Sequence, residues 1–145
     1  MPEAVIVSGA RTPLGSFGGS FKDIKASDLG ATAIKNALDR VELNPSEVDE
    51  VFFGNVLQAA EAGYTARIAA LNAGISEEVP AISINRACSS GLEAINIAAQ
   101  MIKTGEIEVA VAGGAESMSQ SPFLLDYRAR FDGYKLGEIP MRDAL

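Results

Sequence analysis

The chain has 145 residues, of which 48% are hydrophobic, and its net charge is −7. This composition can bury a core and excludes a disordered chain, while the acidic balance argues against nucleic acid or an anionic membrane as a partner. The length fits one domain, or one domain with the start of another. The sequence starts without a signal peptide and has no apolar run of about 18 residues, so we expect a cytoplasmic protein.

Four short apolar segments, at residues 4–7, 51–53, 81–84 and 109–112, are predicted to be strands. The first and fourth are apolar at every position, which is typical of strands buried on both faces. Helical patterns separate the strands, and such alternation favours right-handed crossovers and a parallel arrangement. We therefore predict an α/β fold with a mostly parallel sheet and helices on both faces.

Three helices and one short turn are predicted between these strands. The first helix has Ser27 as its N-cap, and the short turn has Asn44 as a cap followed by a proline. The second helix covers residues 65–73 and the third covers residues 91–104, each ended by a glycine. The third helix is apolar on nearly every side, so we expect it to be buried almost all round. Residues after 118 show no clean periodicity and predict a loop or an insertion.

Cys88, the only cysteine, lies between the third strand and the third helix. A helix start offers free N–H groups and the positive end of the helix dipole, which favour a reactive thiolate. Small residues at 89–91 leave room around the thiol. Arg86 could add positive charge there or form a surface ion pair. The alternative is that Cys88 is only a packed hydrophobic residue, as most lone cysteines are. Histidine, the usual base for a catalytic cysteine, does not occur in the sequence.

Other motifs support weaker predictions. The glycine-rich run at 113–119 follows the fourth strand and should lie at the same sheet edge as Cys88, although it could be only a tight turn. The glycines within residues 15–19 match no phosphate loop and are assigned no phosphate role. Glu93 and Glu116 could act as bases, but solvated surface carboxylates are the more ordinary interpretation. With one cysteine and no histidine, no metal site is expected.

Five stretches together resemble the thiolase family, and within it the acetyl-CoA C-acetyltransferases (acetoacetyl-CoA thiolases). They are RTPLGSFGG at 11–19, GNVLQ at 54–58, NRACSSGL at 85–92, GGAESMS at 113–119 and GYKLGE at 133–138. The third and fourth are specific, whereas the second is weak alone. The stretches occur in the family's order along nearly the whole chain, but they correspond to the N-terminal part of the family only.

The resemblance implies that Cys88 is the nucleophile, which takes the acetyl group of acetyl-CoA as a thioester, with its backbone N–H as one oxyanion-hole donor. In the family a second acetyl-CoA attacks this acyl-enzyme to give acetoacetyl-CoA, and the reverse reaction is thiolysis. An activating histidine, a second cysteine and a water-holding asparagine belong to the family's C-terminal half, which this sequence does not include. We therefore expect the chain to be inactive alone. No cofactor is expected beyond the coenzyme A thioester substrate, and no substrate-binding residue is assigned.

The resemblance also implies a domain division and partners. Residues 1–118 would be an N-terminal half-domain without its last strand, residues 119–145 would begin the loop domain, and the C-terminal domain is absent. The chain would be a truncated product or one subunit of a split enzyme. Its partner would be a C-terminal thiolase half or another copy of the chain. For a dimer of two copies, the strand at 79–84 is the candidate for pairing across the interface. Two alternatives remain: a fragment of a ketoacyl-synthase-type condensing enzyme, and a non-catalytic assembly or binding subunit.

Overall fold

A three-stranded parallel sheet forms the centre of the protein. The computed structural model describes residues 3–61, 63–131, 133–134 and 136–145. The strands are β1 (Glu50–Gly54), β2 (Ala81–Ile84) and β3 (Ala110–Gly114), and their order in the sheet is β2-β1-β3. The central strand β1 has a parallel neighbour on each side and helices over both faces, and all five of its residues are buried.

Helices cover both faces of this sheet. Helices α1 (Ala26–Asp39) and α2 (Thr65–Asn72) pack on one face, and α3 (Ser90–Thr104) packs on the other. Alternate side chains of β1 point to the two layers: Val51 and Phe53 join the cluster under α1 and α2, whereas Phe52 joins Ala94 and Ala98 of α3. The predicted α/β fold, with a parallel sheet between helical layers, is therefore confirmed. No described helix is long and apolar enough to cross a membrane.

The helix ends largely follow the predicted signals. Gly74 and Gly105 adopt left-handed backbone angles just after α2 and α3, with φ of 89° and 78°. Asn44 caps a short 3-10 turn, Pro45–Glu47, through a reciprocal capping box. Ser27 is not the N-cap of α1, because the helix starts one residue earlier. Its buried hydroxyl instead donates to the carboxylate of Glu61.

The strand predicted at residues 4–7 does not form. Val5, Ile6 and Val7 are 66%, 81% and 71% exposed, and the segment has no strand partner among the described residues. Directly after the segment, the Ser8 hydroxyl donates to the carbonyl of Ala37, in the C-terminal half of α1, at 2.7 Å. An apolar run becomes a strand only where a neighbour satisfies its backbone groups, and the sequence of the run does not supply that neighbour.

Helix α3 is also less buried than predicted. Leu92 is 62% exposed and Ile95 is 39% exposed, so one apolar side of the helix faces outward. The opposite side, with Ala94 and Ala98, is buried against the sheet. A single sheet can cover only one stripe of a helix, and the apolar content of α3 exceeds what this stripe accommodates.

The tail contains short elements where a loop or an insertion was predicted. Strands β4 (Phe123–Leu125) and β5 (Met141–Asp143) form an exposed antiparallel pair. Three-residue strands are too short to show a period of two, which is why no strand was predicted there. Lys135, within the stretch at 133–138, lies outside the described residues. The domain division after residue 118 stays a prediction.

Candidate active site

Cys88 lies in the five-residue connection between β2 and α3, two residues before the helix begins. Its side chain is exposed, which contradicts the alternative of a merely packed cysteine. The preceding residue, Ala87, has φ of 50°, in the left-handed region that costs a non-glycine residue about 1–2 kcal/mol. The chain therefore makes a sharp, strained turn that brings the thiol out in front of the helix.

Hydrogen bonds around Ser90 hold this turn. The Ser90 hydroxyl accepts from the backbone N–H of Arg86 at 2.8 Å and donates to the carbonyl of Ala87 at 2.6 Å. The Ser89 hydroxyl donates to the carbonyl of Arg86 at 2.9 Å. Bonds of this kind contribute about 1 kcal/mol each, enough together to offset the strain at Ala87.

The Arg86 side chain forms an ion pair with Glu93. Arg86 was expected either to add positive charge near the thiol or to form a surface ion pair, and the structure shows the ion pair. Glu93 is correspondingly not a freely solvated carboxylate, because it joins the turn to the first part of α3.

Two glycines allow α3 to approach the end of β1 very closely. A Cβ placed on Gly54 would lie 2.5 Å from the backbone nitrogen of Gly91 and 2.6 Å from the carbonyl carbon of Ser90. A Cβ on Gly114 would lie 2.8 Å from the carbonyl oxygen of Gly54. The ends of β1, β3 and the first turn of α3 thus meet with no room for side chains.

Cys88 lines a shallow, open cleft of about 480 Å³ at the carboxyl edge of the sheet. The cleft is shared by the turn before α3, the loop after β1 and the loop after β3, including Val56 and Glu116. The prediction that the run at 113–119 lies at the same edge as Cys88 is confirmed. Ligands of parallel α/β proteins bind at this edge.

Glu116 joins two of these loops through its carboxylate. One oxygen accepts from the side-chain amide of Asn55 at 2.9 Å and from the N–H of Leu57 at 3.1 Å, and the other accepts from the N–H of Val56 at 2.9 Å. Glu116 is an exposed loop residue, as the ordinary interpretation expects, but both oxygens of its carboxylate are hydrogen-bonded to the neighbouring loop. Its negative charge is used to bind three N–H groups of the neighbouring loop.

Asn55 and Thr65 form the buried part of this network, and neither was predicted as a site residue. The amide of Asn55 also donates to the carbonyl of Ala115 at 3.0 Å, and its oxygen accepts from the Thr65 hydroxyl at 3.0 Å. Both residues are only 1% exposed. The one available signal was the position of Asn55, a polar residue directly after a buried strand, where site residues of α/β proteins gather.

Two of the stretches that carry the family resemblance lie side by side. The N–H of Gly18 donates to the hydroxyl of Ser119 at 2.9 Å, which links the run at 11–19 to the run at 113–119. The Ser117 hydroxyl donates to the carbonyl of Ile24 at 3.2 Å. These contacts give the glycine-rich segment at 15–19 a structural role, as support for the loop that carries Glu116.

The fold and the site together define an α/β protein that presents a cysteine on a tight strand-to-helix turn. The family model for the thiolase N-terminal domain matches residues 4–145, so the chain belongs to the thiolase family, and the resemblance seen in the sequence is confirmed. The chain is 50% identical over 145 residues to the probable acetyl-CoA acyltransferase of Staphylococcus aureus strain NCTC 8325 / PS 47, and 49% identical to that of strain MRSA252. These matches cover 100% of the chain but 36% of each relative.

Proposed function

We propose that this chain is the nucleophile-bearing part of a thiolase-type acyltransferase that acts on acetyl-CoA. The observation that carries the proposal is the exposed thiol of Cys88 on a strained turn, lining a shallow, open cleft at the carboxyl edge of the sheet. Family membership and the names of the relatives support the same chemistry.

In the proposed reaction the thiolate of Cys88 attacks the carbonyl carbon of the acetyl-CoA thioester. The resulting oxyanion is stabilised by backbone N–H groups, that of Cys88 among them, and by the positive end of α3. The C–S bond to coenzyme A then breaks, coenzyme A leaves as a thiolate that takes up a proton, and an acetyl-cysteine remains. Condensation of this acyl group with a second acetyl-CoA, and the reverse thiolysis, complete the proposed function.

The proposal assigns the second half of the chemistry to groups supplied by another polypeptide segment. The chain spans about a third of its relatives' length and contains no histidine that could act as the base. The outward apolar side of α3, with Leu92 and Ile95, supports a partner on that face. A C-terminal thiolase half or a second copy of the chain would fit, and we expect negligible condensation by the chain alone.

Acetylation of Cys88 is the direct test. The chain is incubated with acetyl-CoA, with and without the C-terminal portion of a Staphylococcus aureus relative, and its intact mass and peptide map are measured. We expect one acetyl group on Cys88, faster with the added portion, and none on Cys88→Ala. A Ser20→Ala variant, changed at an exposed loop hydroxyl, is the matched control and should be acetylated like the unmodified chain.

Two other results would favour the alternatives. Acetylation from an acetylated carrier protein but not from acetyl-CoA would indicate a ketoacyl-synthase-type substrate. Binding of the C-terminal portion with no acetylation of Cys88 from either donor would indicate an assembly subunit and would overturn the nucleophile assignment.

A further inference from the structure

A continuous path of hydrogen bonds leads from Glu116 to the residue before Cys88. The Glu116 carboxylate accepts from the N–H of Val56 at 2.9 Å. The carbonyl of the same Val56 accepts from the side-chain amide of Asn85 at 3.3 Å. The oxygen of that amide accepts from the N–H of Ala87 at 3.2 Å. The path therefore ends on the one residue of the turn whose φ is positive.

The end of the path matters because Ala87 is strained. A left-handed alanine persists only where its surroundings hold it, and a relaxed turn would carry Cys88 away from the start of α3. The bonds made by Ser89 and Ser90 hold the turn from the helix side. The amide of Asn85 holds it from the sheet side, and the position of that amide depends on Val56.

We propose that Glu116 is a positioning residue for Cys88, acting through Val56 and Asn85 on the left-handed turn at Ala87. The value of this placement for catalysis rests on the proposed function, but the coupling itself is a property of the fold. Glu116 does not need to contact the thiol to act in this way. Its place in the cleft is explained by the loop that it holds, without a role as a base.

A carboxylate suits this role better than an amide. Both oxygens of Glu116 accept N–H groups, so a glutamine at this position would turn its NH₂ toward at least one donor. If the amide oxygen keeps Asn55 and Leu57, the bond that is lost is the one to Val56. Glu116→Gln therefore removes a link of the path while leaving the size and shape of the side chain unchanged.

Backbone amide exchange, measured by NMR on the full chain, tests the coupling. In Glu116→Gln we expect the N–H groups of Val56, Ser89 and Ser90 to exchange roughly three- to tenfold faster, because one hydrogen bond in the path is lost. The N–H of Ile34, in the buried part of α1, should keep its rate. Glu78→Gln, which removes an exposed carboxylate before β2, is the matched control and should change none of these rates.

Two further variants separate positioning from a general structural effect. Asn85→Ala cuts the path after Val56, so it should speed exchange at Ser89 and Ser90 but not at Val56. Ala87→Gly removes the strain at the left-handed position, so in the Glu116→Gln background it should restore slow exchange at Ser89 and Ser90 but not at Val56. Ala60→Gly, at an exposed position without a positive φ, should restore nothing.

Several outcomes would overturn the proposal. Glu116 does not act on the turn if Glu116→Gln leaves the exchange rates of Ser89 and Ser90 unchanged. The same conclusion follows if the rate of Ile34 increases equally, or if Ala87→Gly does not restore slow exchange at Ser89 and Ser90. If Glu116→Gln does not fold, Asn85→Ala provides the test, and unchanged exchange rates at Ser89 and Ser90 in that variant would overturn the proposal. None of these measurements uses acetyl-CoA, so lack of acetylation would overturn the proposed function alone.

Discussion

Gly54, the last residue of β1, lies directly against the backbone of Gly91 in the first turn of α3, with no space for a side chain on Gly54. A Cβ on Gly54 would approach the nitrogen of Gly91 to 2.5 Å. This contact fixes how far the start of α3 can be from the sheet. Because Cys88 stands three residues before Gly91, the same contact also determines where the thiol lies relative to the loop after β1.

Gly54→Ala should consequently destabilise the protein. The atoms in the way belong to backbone and cannot rotate aside, so we expect a loss of about 1–3 kcal/mol in the free energy of unfolding. Urea unfolding followed by circular dichroism measures it. Gly9→Ala is the control, because its Cβ would meet no atom within 4 Å and its φ is not positive. Equal urea midpoints for the two variants would contradict the close approach.

Thr65→Val should lower the free energy of unfolding, because Thr65 belongs to the buried hydrogen-bond network. Valine has the shape of threonine but no hydroxyl, so the oxygen of Asn55, itself buried, would lose its bond from Thr65. We expect a loss of about 1–3 kcal/mol. Thr32→Val is the matched control, since the Thr32 hydroxyl donates to the carbonyl of Asp28 on an exposed part of α1. It should cost about 0.5 kcal/mol or less by the same urea measurement.

The sequence predicts β1, β2, β3 and the helices between them because each has a local signal. Apolar runs mark the strands, and Gly74 and Gly105 mark two helix ends. The segment at 4–7 has the same signal as β3 but pairs with no strand in the part of the chain that the structure describes, so a local pattern could not separate the two. Whether such a run becomes a strand depends on distant residues.

The candidate site also has one part that the sequence predicts and one part that it does not. Cys88 could be located from its place between a strand and a helix, since this is a local feature. The role of Glu116 could not, because its partners Val56 and Leu57 lie about 60 residues earlier in the chain. Nothing in the sequence says which N–H groups a carboxylate in a loop will meet. The left-handed angle of Ala87 is equally hidden, because alanine carries no preference for it.

Asp49 should make stability depend on acidic pH. Hydrogen bonds from the N–H groups of Val109 and Glu108 hold its pKa below the ordinary value of 3.8. The ionised carboxylate of Asp49 therefore stabilises the folded state fully above pH 3.8, and this stabilisation is lost as the pH falls through the lower pKa of the folded state. Thermal unfolding across this range should show a shallower acid-induced decrease for Asp49→Asn than for the unmodified protein. Asp23→Asn, at an exposed loop position, should leave the decrease unchanged, and identical profiles for both variants would contradict the assignment.

Glu50 should have the opposite effect on stability. Burial at the start of β1, and secondarily the charge of Glu106, raise its pKa above the ordinary value of 4.5. The folded state therefore binds a proton at Glu50 more tightly than the unfolded state does. Above the folded pKa the ionised carboxylate lowers the free energy of unfolding, and below pH 4.5 this loss disappears. Glu50→Gln should raise the free energy of unfolding at neutral pH by up to about 1 kcal/mol, and the gain should vanish in acid. Glu108→Gln is the control for removal of one negative charge, because Glu108 is exposed and lies just before β3, the strand that pairs with β1. A gain for Glu50→Gln that persists below pH 4.5 would show that the raised pKa is not its cause.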